Sequence, residues 1–324
     1  MKKLFKQFND LNILIIGDVM IDTYLWGSVD RISPEAPVPV LLINKKENRL
    51  GGAANVALNV QSLGATAIVC AVVGEDKEGT EFLELLKARG LNADGIIRAS
   101  ERLTTVKTRV IGQKQQILRI DSENNQNIGK ILSDKVIAKI TAIINKQTID
   151  AIIFQDYDKG VISASLIHEI VKLADKNKII TVVDPKKRNF LDYTGVTLFK
   201  PNLKELRDGL KLEINLATPQ ELEKAVEQLK NHLNCKSVMV TLSERGVFID
   251  SAKGKKLIPA HIRDIADVSG AGDTVIATAA LCLAAGLDEF STAAIANISG
   301  GLVCEHPGVV PVNKKQLLNE AKNI

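Results

Sequence analysis

Residues 267–274 read Asp-Val-Ser-Gly-Ala-Gly-Asp-Thr, and the chain then runs almost wholly apolar from Thr274 to Ala285, before Gly286. This pattern predicts a glycine-rich turn that opens a buried helix. The first N–H groups of a helix lack intrahelical partners, and small residues let a phosphate approach them closely. Asp273 would then stand beside a phosphate, where it can take the proton of an attacking hydroxyl. The alternative is that Asp273 only occupies a first helical turn, where acids are favoured.

The composition is that of a globular α/β protein. The 324 residues are 45% hydrophobic and only 4% aromatic, and the net charge is +4. Scarce aromatics and a small net charge argue against a nucleic-acid partner. No apolar run is long enough to span a membrane, and the first ten residues contain no secretion signal. The four cysteines contain no C-x-x-C pair, which favours free thiols and a cytoplasmic location.

Short apolar runs alternate with helical patterns along the chain, which predicts a parallel sheet covered by helices. Polar groups follow each run, and ligands bind outside the carboxyl ends of such strands. After Ile13–Ile16 come Asp18 and Asp22, which are candidates for ligand contacts or ordinary turn residues. The later strand ends carry these groups: Gln155 to Gly160, Asp184 to Lys186, Lys200 to Asn202, and Thr241.

Two β-rich segments, at about 23–49 and 93–121, interrupt the alternation. The prolines Pro34, Pro37 and Pro39 restrict the first segment to edge strands and turns. We expect the two segments to pair as a small lid over the site. Because exposed apolar edge strands need covering, the apolar runs 38–43 and 117–120 predict a homodimer through this lid.

Two further patterns each admit two interpretations. Gly51-Gly52-Ala53-Ala54-Asn55 predicts a second glycine-rich helix start, in which Asn55 either binds a ligand hydroxyl or caps the turn. Asn202 followed by Glu205 matches a capping box, with Asn at the N-cap and Glu three residues later. The same two side chains would also suit a hydrated Mg²⁺, which takes few protein oxygens.

The ordered set of Gly51 to Asn55, Asn202…Glu205, Thr241 to Gly246 and Gly270 to Asp273 resembles the ribokinase/PfkB family of carbohydrate kinases over nearly the whole chain. The resemblance implies a three-layer α/β/α sandwich with a small β-sheet lid, here as a single kinase domain over residues 1–324. It implies ATP as phosphoryl donor, Mg²⁺, and in some members a monovalent cation. No Walker A sequence is present, and the family does not use one.

The resemblance also assigns roles by motif. Asp273 would be the catalytic base, and Gly270, Ala271 and Gly272 would form the anion hole. Asn202 and Glu205 would serve Mg²⁺ through water. Substrate contacts would come from Asp18, Asp22, Gly51, Gly52 and Asn55, with Lys159, Lys186, Arg109 and Arg119 as candidates for the substrate's phosphate. Nucleotide contacts would come from Asn202, Thr241, Ser243, Gly246, Gly270, Gly272 and Asn297. Ser243 departs from the family pattern, since many members carry glycine there.

A closer resemblance lies in Gly17 to Asp22, Arg31 to Val40 and Asp156 to Gly160, which are similar to the kinase half of bifunctional heptose 7-phosphate kinase/heptose 1-phosphate adenylyltransferases. It implies phosphorylation of the anomeric hydroxyl of D-glycero-D-manno-heptose 7-phosphate to the 1,7-bisphosphate, in ADP-heptose and lipopolysaccharide precursor synthesis. The alternatives are a kinase for ribose, a fructose phosphate or a nucleoside, or a binding protein without catalysis. We find no H-x-G-H motif and expect no adenylyltransferase domain, so a phosphatase and a separate adenylyltransferase would follow.

Overall fold

The computed structural model describes residues 1–113, 115–215 and 218–324. The strands are β1 (Asn12–Gly17), β2 (Val19–Ile32), β3 (Pro39–Gly52), β4 (Thr66–Gly74), β5 (Ile96–Ala99), β6 (Val106–Gly112), β7 (Gln115–Ser122), β8 (Ala151–Gln155), β9 (Ile180–Asp184), β10 (Leu198–Phe199), β11 (Ser237–Thr241), β12 (Val247–Ser251) and β13 (Gly254–Ile258). The helices are α1 (Lys2–Gln7), α2 (Ala53–Ser62), α3 (Lys77–Ala88), α4 (Lys130–Lys146), α5 (Ala164–Lys176), α6 (Leu203–Leu210), α7 (Pro219–Leu233), α8 (Ala271–Ala284), α9 (Glu289–Cys304) and α10 (Lys314–Glu320).

Nine strands form one sheet, in the order β13-β12-β11-β10-β9-β8-β1-β4-β5. Within this sheet, neighbouring strands from β5 at one edge through to β11 pair parallel. Strand β12 pairs antiparallel with both β11 and β13. The strand order reverses between β1 and β8, where Gly17 lies opposite Gln155. Open α/β sheets bind ligands at such a reversal, outside the carboxyl ends of the strands.

Both faces of the sheet are buried, which makes the three-layer sandwich expected from the sequence. Along β1, Ile13 and Ile15 pack in one apolar cluster with α2, α3, α8 and α9, and Leu14 and Ile16 pack in a second cluster with α4, α5 and α7. Successive strand side chains point to opposite faces, so a continuous apolar run such as β1 serves both layers. The predicted fold class is confirmed.

The lid is a separate four-stranded sheet in the order β3-β2-β6-β7. Strand β2 pairs antiparallel with β3 and parallel with β6, and β6 forms a hairpin with β7. Lys114, in the second predicted lid segment, lies outside the described residues. Ile96 and Ile97, which the sequence analysis included in the lid, belong to β5 at the edge of the large sheet. They pack against the two apolar clusters of the large sheet. β-rich composition alone does not show which sheet a strand joins, and here the tertiary contacts place this strand in the large sheet.

Candidate active site

Helix α8 begins where the sequence predicts it. Its N-cap residue, Gly270, has φ 81°, a left-handed conformation that glycine adopts without steric cost. The Ala271 N–H donates to Val268 O at 3.3 Å, which leaves the N–H groups of Gly272 and Asp273 as the first-turn donors of the helix. A Cβ at Gly272 would lie 3.7 Å from Asp184 Oδ2 and 3.8 Å from Lys200 Nζ, so the helix start faces that pair.

Asp273 is buried, and its carboxylate accepts hydrogen bonds from three side chains. Oδ2 accepts from Asn55 Nδ2 at 2.7 Å, while Oδ1 accepts from the Tyr157 hydroxyl at 2.7 Å and from Gln155 Nε2 at 3.1 Å. Burial is the largest influence on this carboxyl and raises its pKa to about 6, against the lowering effect of the bonds from Asn55 and Tyr157. Such a carboxyl is ionised at neutral pH and has a pKa suited to a general base.

Asn55 brings the two glycine-rich helix starts together. It is buried in the first turn of α2, and its amide reaches Asp273 on α8. A Cβ at Gly270 would lie 3.2 Å from Asn55 Nδ2, so the glycine leaves room for this approach. The sequence left open whether Asn55 binds a ligand hydroxyl or caps the turn; in the structure its amide donates to Asp273, and the ligand contact stays a prediction.

Sequence reasoning missed Gln155 and Tyr157, which hold Asp273, and the buried pair of Asp184 and Lys200. Lys200 Nζ lies 3.1 Å from Asp184 Oδ1. Gln155 and Asp184 end β8 and β9, and Tyr157 and Lys200 lie just past β8 and β10, at the strand ends that the alternation had marked as polar. The signal was therefore present in the sequence, but nothing there ranked these residues above their neighbours.

A cavity of about 810 Å³ opens beside Asp273. Its lining includes these residues predicted for the nucleotide, the metal or the anion hole: Asn202, Glu205, Thr241, Ser243, Gly246, Gly270, Ala271, Gly272 and Asn297. Lys186, which was predicted for the substrate's phosphate, also lines the cavity. The cavity thus collects the residues predicted for the phosphoryl donor on one side of Asp273. Asn297 Nδ2 donates to Pro259 O at 2.8 Å, which ties α9 to the segment after β13.

Asn202 and Glu205 form the capping box at the start of α6. Asn202 Oδ1 accepts from the Glu205 N–H at 2.8 Å, and Glu205 Oε2 accepts from the Asn202 N–H at 2.8 Å. Glu205 Oε1 is ion-paired with Lys186. Both residues still line the cavity, so capping and a water-mediated metal contact are compatible. No group of three potential metal ligands occurs among the described residues.

Ser243 and Gly246 form a tight turn after β11. Ser243 has φ 54°, so this serine adopts the left-handed conformation that the family's glycine would take without cost. A Cβ at Gly246 would lie 2.6 Å from Ala260 N, so a side chain is excluded there. The turn packs the β12–β13 hairpin against the segment that borders the cavity.

Asp22, Gly51 and Arg109 lie together on the lid strands, and these three residues are not part of the cavity lining. Asp22 is buried and ion-paired with Arg109. A Cβ at Gly51 would collide with Asp22 Oδ2, so glycine is required for the carboxylate to lie against β3. Gly52 has φ 61° and brings the chain from β3 into α2. These residues, with Asn55, are the ones predicted to hold the sugar.

Three other predicted substrate contacts are engaged with other protein groups. Asp18 is only 1% exposed, and its carboxylate accepts three backbone N–H groups, from Tyr157, Lys159 and Val161, at 3.0–3.1 Å. This geometry does not support a sugar contact, because the carboxylate is committed to holding the loop after β8. Lys159 is ion-paired with Glu123, and Arg119 is half exposed and paired with Asp121.

The described residues include no helix long and apolar enough to cross a membrane. The four cysteines are free and buried. Burial raises the pKa of Cys282 well above its usual range, which fits an inert core thiol.

Comparisons with known proteins identify the family of the chain. Residues 10–316 match the model of the pfkB family of carbohydrate kinases. The chain is 40% identical over 293 residues to the "Bifunctional protein HldE" of Campylobacter fetus, covering 90% of this chain and 62% of that protein. The protein of the same name in Sulfurimonas denitrificans is 38% identical over 315 residues, covering 97% of this chain and 65% of that protein. The chain therefore spans less than two thirds of the length of these relatives.

Solved kinases share the fold. Phosphofructokinase-2 from Escherichia coli, crystallised with potassium, superposes with a TM-score of 0.80 at 16% identity, covering 97% of this chain and 98% of that one. Arabidopsis thaliana ribokinase, complexed with ribose and ATP, gives a TM-score of 0.74 at 16% identity, covering 96% of this chain and 99% of that one. Because the family model matches residues 10–316, almost the whole chain, this chain belongs to the pfkB family of carbohydrate kinases.

Proposed function

We propose that the chain transfers the γ-phosphoryl group of ATP to the anomeric hydroxyl of D-glycero-D-manno-heptose 7-phosphate and yields the 1,7-bisphosphate. The observation that carries the chemistry is the position of Asp273. Its carboxylate lines the cavity at the start of α8 and accepts from Asn55, which lies three residues past Gly52 at the end of β3. The choice of heptose 7-phosphate rests on the similarity to the two HldE proteins.

The proposed step needs one proton acceptor and a site for anionic phosphates. The sugar hydroxyl gives its proton to Asp273 as its oxygen forms a bond to the γ-phosphorus, and the bond from that phosphorus to the bridging oxygen of ADP breaks. The first-turn N–H groups of α8 face the phosphoryl group, with the Lys200 ammonium beside them. Fixed donors of this kind stabilise the charge of a phosphoryl-transfer transition state.

Glu205 and Asn202 are the residues that would hold Mg²⁺, through water. When bound, this ion would neutralise charge on the phosphates of the nucleotide. Lys186, ion-paired with Glu205 at the cavity wall, is placed for the donor phosphates rather than for the sugar phosphate. Among the predicted cations, Arg109 is the one placed beside the sugar residues, and we assign it to the acceptor's phosphate.

We further propose a homodimer through the lid. Its outer strands expose Leu42 and Ile43 on β3 and Leu118 and Ile120 on β7, each more than half exposed. All eight residues of β7 are exposed. Edge strands with exposed apolar side chains are protected in natural proteins by a partner or a covering element. A second copy of this chain is the partner that fits a self-complementary apolar face.

An ATP-consumption screen over sugars and sugar phosphates tests the function. We expect ADP release with heptose 7-phosphate and Mg²⁺, and a product that carries two phosphates. Turnover that is faster with ribose, a fructose phosphate or a nucleoside would replace the assigned substrate with that compound. ATP binding without turnover of any compound would favour a binding protein. The same assay in potassium and in sodium buffers tests for a monovalent-cation requirement.

A further inference from the structure

Buried side chains hydrogen-bond to the loop of residues 156–161, which lies between β8 and α5. Asp18 accepts its backbone N–H groups at three positions, and the buried Arg102 guanidinium donates to Lys159 O. Asp156, at the start of the loop, accepts from the Tyr193 hydroxyl at 2.8 Å and from Asn189 Nδ2 at 3.0 Å. A loop with this many buried backbone and side-chain bonds holds its side chains in fixed positions.

The loop places Tyr157 against the proposed base. The Tyr157 hydroxyl donates to Asp273 Oδ1 at 2.7 Å, and Lys186 Nζ lies 5.8 Å from the centre of the phenol ring. Gln155 shares its amide between Asp273 Oδ1 at 3.1 Å and Asp184 Oδ2 at 3.4 Å. Its bond to Asp273 is therefore longer than the 2.7 Å bond from Tyr157. The Tyr157 phenol therefore makes the shorter of the two hydrogen bonds to Oδ1, and it is not shared with Asp184 as the Gln155 amide is.

An ionised carboxylate offers about four lone-pair sites, two on each oxygen. On Asp273, Tyr157 and Gln155 take both sites of Oδ1, and Asn55 takes one site of Oδ2. One site, on Oδ2, is left for a substrate hydroxyl. We propose that Tyr157 is a positioning residue that saturates Oδ1, directs proton transfer to Oδ2 and keeps the buried carboxylate ionised. This inference rests on the proposed function of Asp273 as the base.

The charges around Asp273 determine the sign of the expected effect. Burial raises the pKa of Asp273 most, Asp184 raises it further, and the bonds from Asn55 and Tyr157 and the charge of Lys200 lower it. Lys186 also interacts electrostatically with Asp273. Removal of the phenol hydroxyl removes a donor to the charged form, so the pKa of Asp273 must rise. A hydrogen bond to a charged group corresponds to a shift of about one to two pH units.

Tyr157→Phe tests the proposal, with Tyr193→Phe as the matched control. Tyr193 is also a buried tyrosine that donates to an aspartate, but its partner is Asp156. Protein labelled with ¹³C at the aspartate carboxyl carbons is titrated by NMR without substrate, and the resonance missing from Asp273→Asn identifies Asp273. We expect its midpoint to rise by about one to two pH units in Tyr157→Phe and to stay at the wild-type value in Tyr193→Phe.

Kinetics of the same variants separate this inference from the proposed function. With ATP and heptose 7-phosphate, the acidic limb of kcat/KM reports the free enzyme and should move to higher pH in Tyr157→Phe, with activity recovering as pH rises. An unchanged Asp273 midpoint in Tyr157→Phe would overturn the positioning role. Near wild-type turnover by Asp273→Asn would instead overturn the proposed base, whatever the NMR titration shows.

Discussion

The two sides of Asp273 are built differently. On the cavity side, the polar groups follow strands of the large sheet and are paired with one another, as in Asp184–Lys200 and Lys186–Glu205. On the sugar side, Asp22, Gly51 and Arg109 lie on strands of the small lid sheet. The proposed nucleotide side is therefore part of the core of the fold, whereas the proposed sugar side depends on how the lid strands pair. We infer that the first side fixes the reaction and the second selects the substrate.

The largest effect should come from the residue where the two sides meet. Asp273→Asn keeps the shape of the side chain but removes the proton acceptor, so turnover should fall by about 10²–10⁴. Nucleotide affinity, measured by calorimetry, should stay near that of the wild type, because the cavity does not lose a lining group. A variant that retains turnover within a few-fold would remove Asp273 from the role of base.

Substitution of two arginines of the lid should have different effects on the KM for the sugar phosphate. Arg109→Gln should raise the KM for the sugar phosphate by about 10- to 100-fold and leave the KM for ATP unchanged, because a charged hydrogen bond is lost only on the sugar side. Arg119→Gln is the matched comparison, since Arg119 lies opposite Arg109 on β7 but is half exposed. If Arg119→Gln raises the KM for the sugar phosphate more than Arg109→Gln does, the assignment of Arg109 is wrong.

Glu205→Gln separates the metal role of Glu205 from its capping role. Glutamine keeps a capping-box acceptor for the Asn202 N–H, while the charge is removed. We expect the Mg²⁺ concentration for half-maximal activity to rise by about tenfold, with helix stability preserved, since about one charge-assisted contact is lost. If neither activity nor Mg²⁺ dependence changes, Glu205 acts in capping alone.

The smallest effect on turnover, about a few-fold at most, should accompany changes on the outer face of the lid, because no catalytic group lies there. Leu118→Glu should convert a dimer to a monomer in light scattering at micromolar concentration. Ile131→Glu, at an exposed apolar position on α4 outside the lid, provides the control and should remain dimeric. A wild-type protein that is already monomeric would contradict the lid dimer.

The sequence predicted the layers because their signals are local. The continuous apolar run of β1 and the amphipathic helices such as α7 follow from spacing alone. Strand β10 retains only Leu198 and Phe199, shorter than its apolar run. The β12–β13 hairpin was not predicted, because its second strand is largely polar and exposed.

The site was predicted where a motif marked it and missed where pairing decided it. Asp273, Gly270 and Asn55 carry local signals, since glycine-rich helix starts can be recognised in the sequence. Tyr157 and Lys200 act through partners more than 15 residues away in sequence, Asp273 and Asp184, which nothing local indicates. Asp18 resembled a ligand residue, yet its three donors are backbone N–H groups that no side-chain pattern displays.

The left-handed Ser243 has a consequence for adaptation. A residue with a side chain costs about 1–2 kcal/mol in this conformation, a noticeable part of the roughly 5–15 kcal/mol that stabilises a typical protein. Glycine would relieve most of that cost but would remove the hydroxyl from the cavity wall. Laboratory evolution for heat resistance should therefore find glycine at position 243 early, and the nucleotide affinity of such clones would report what the hydroxyl contributes.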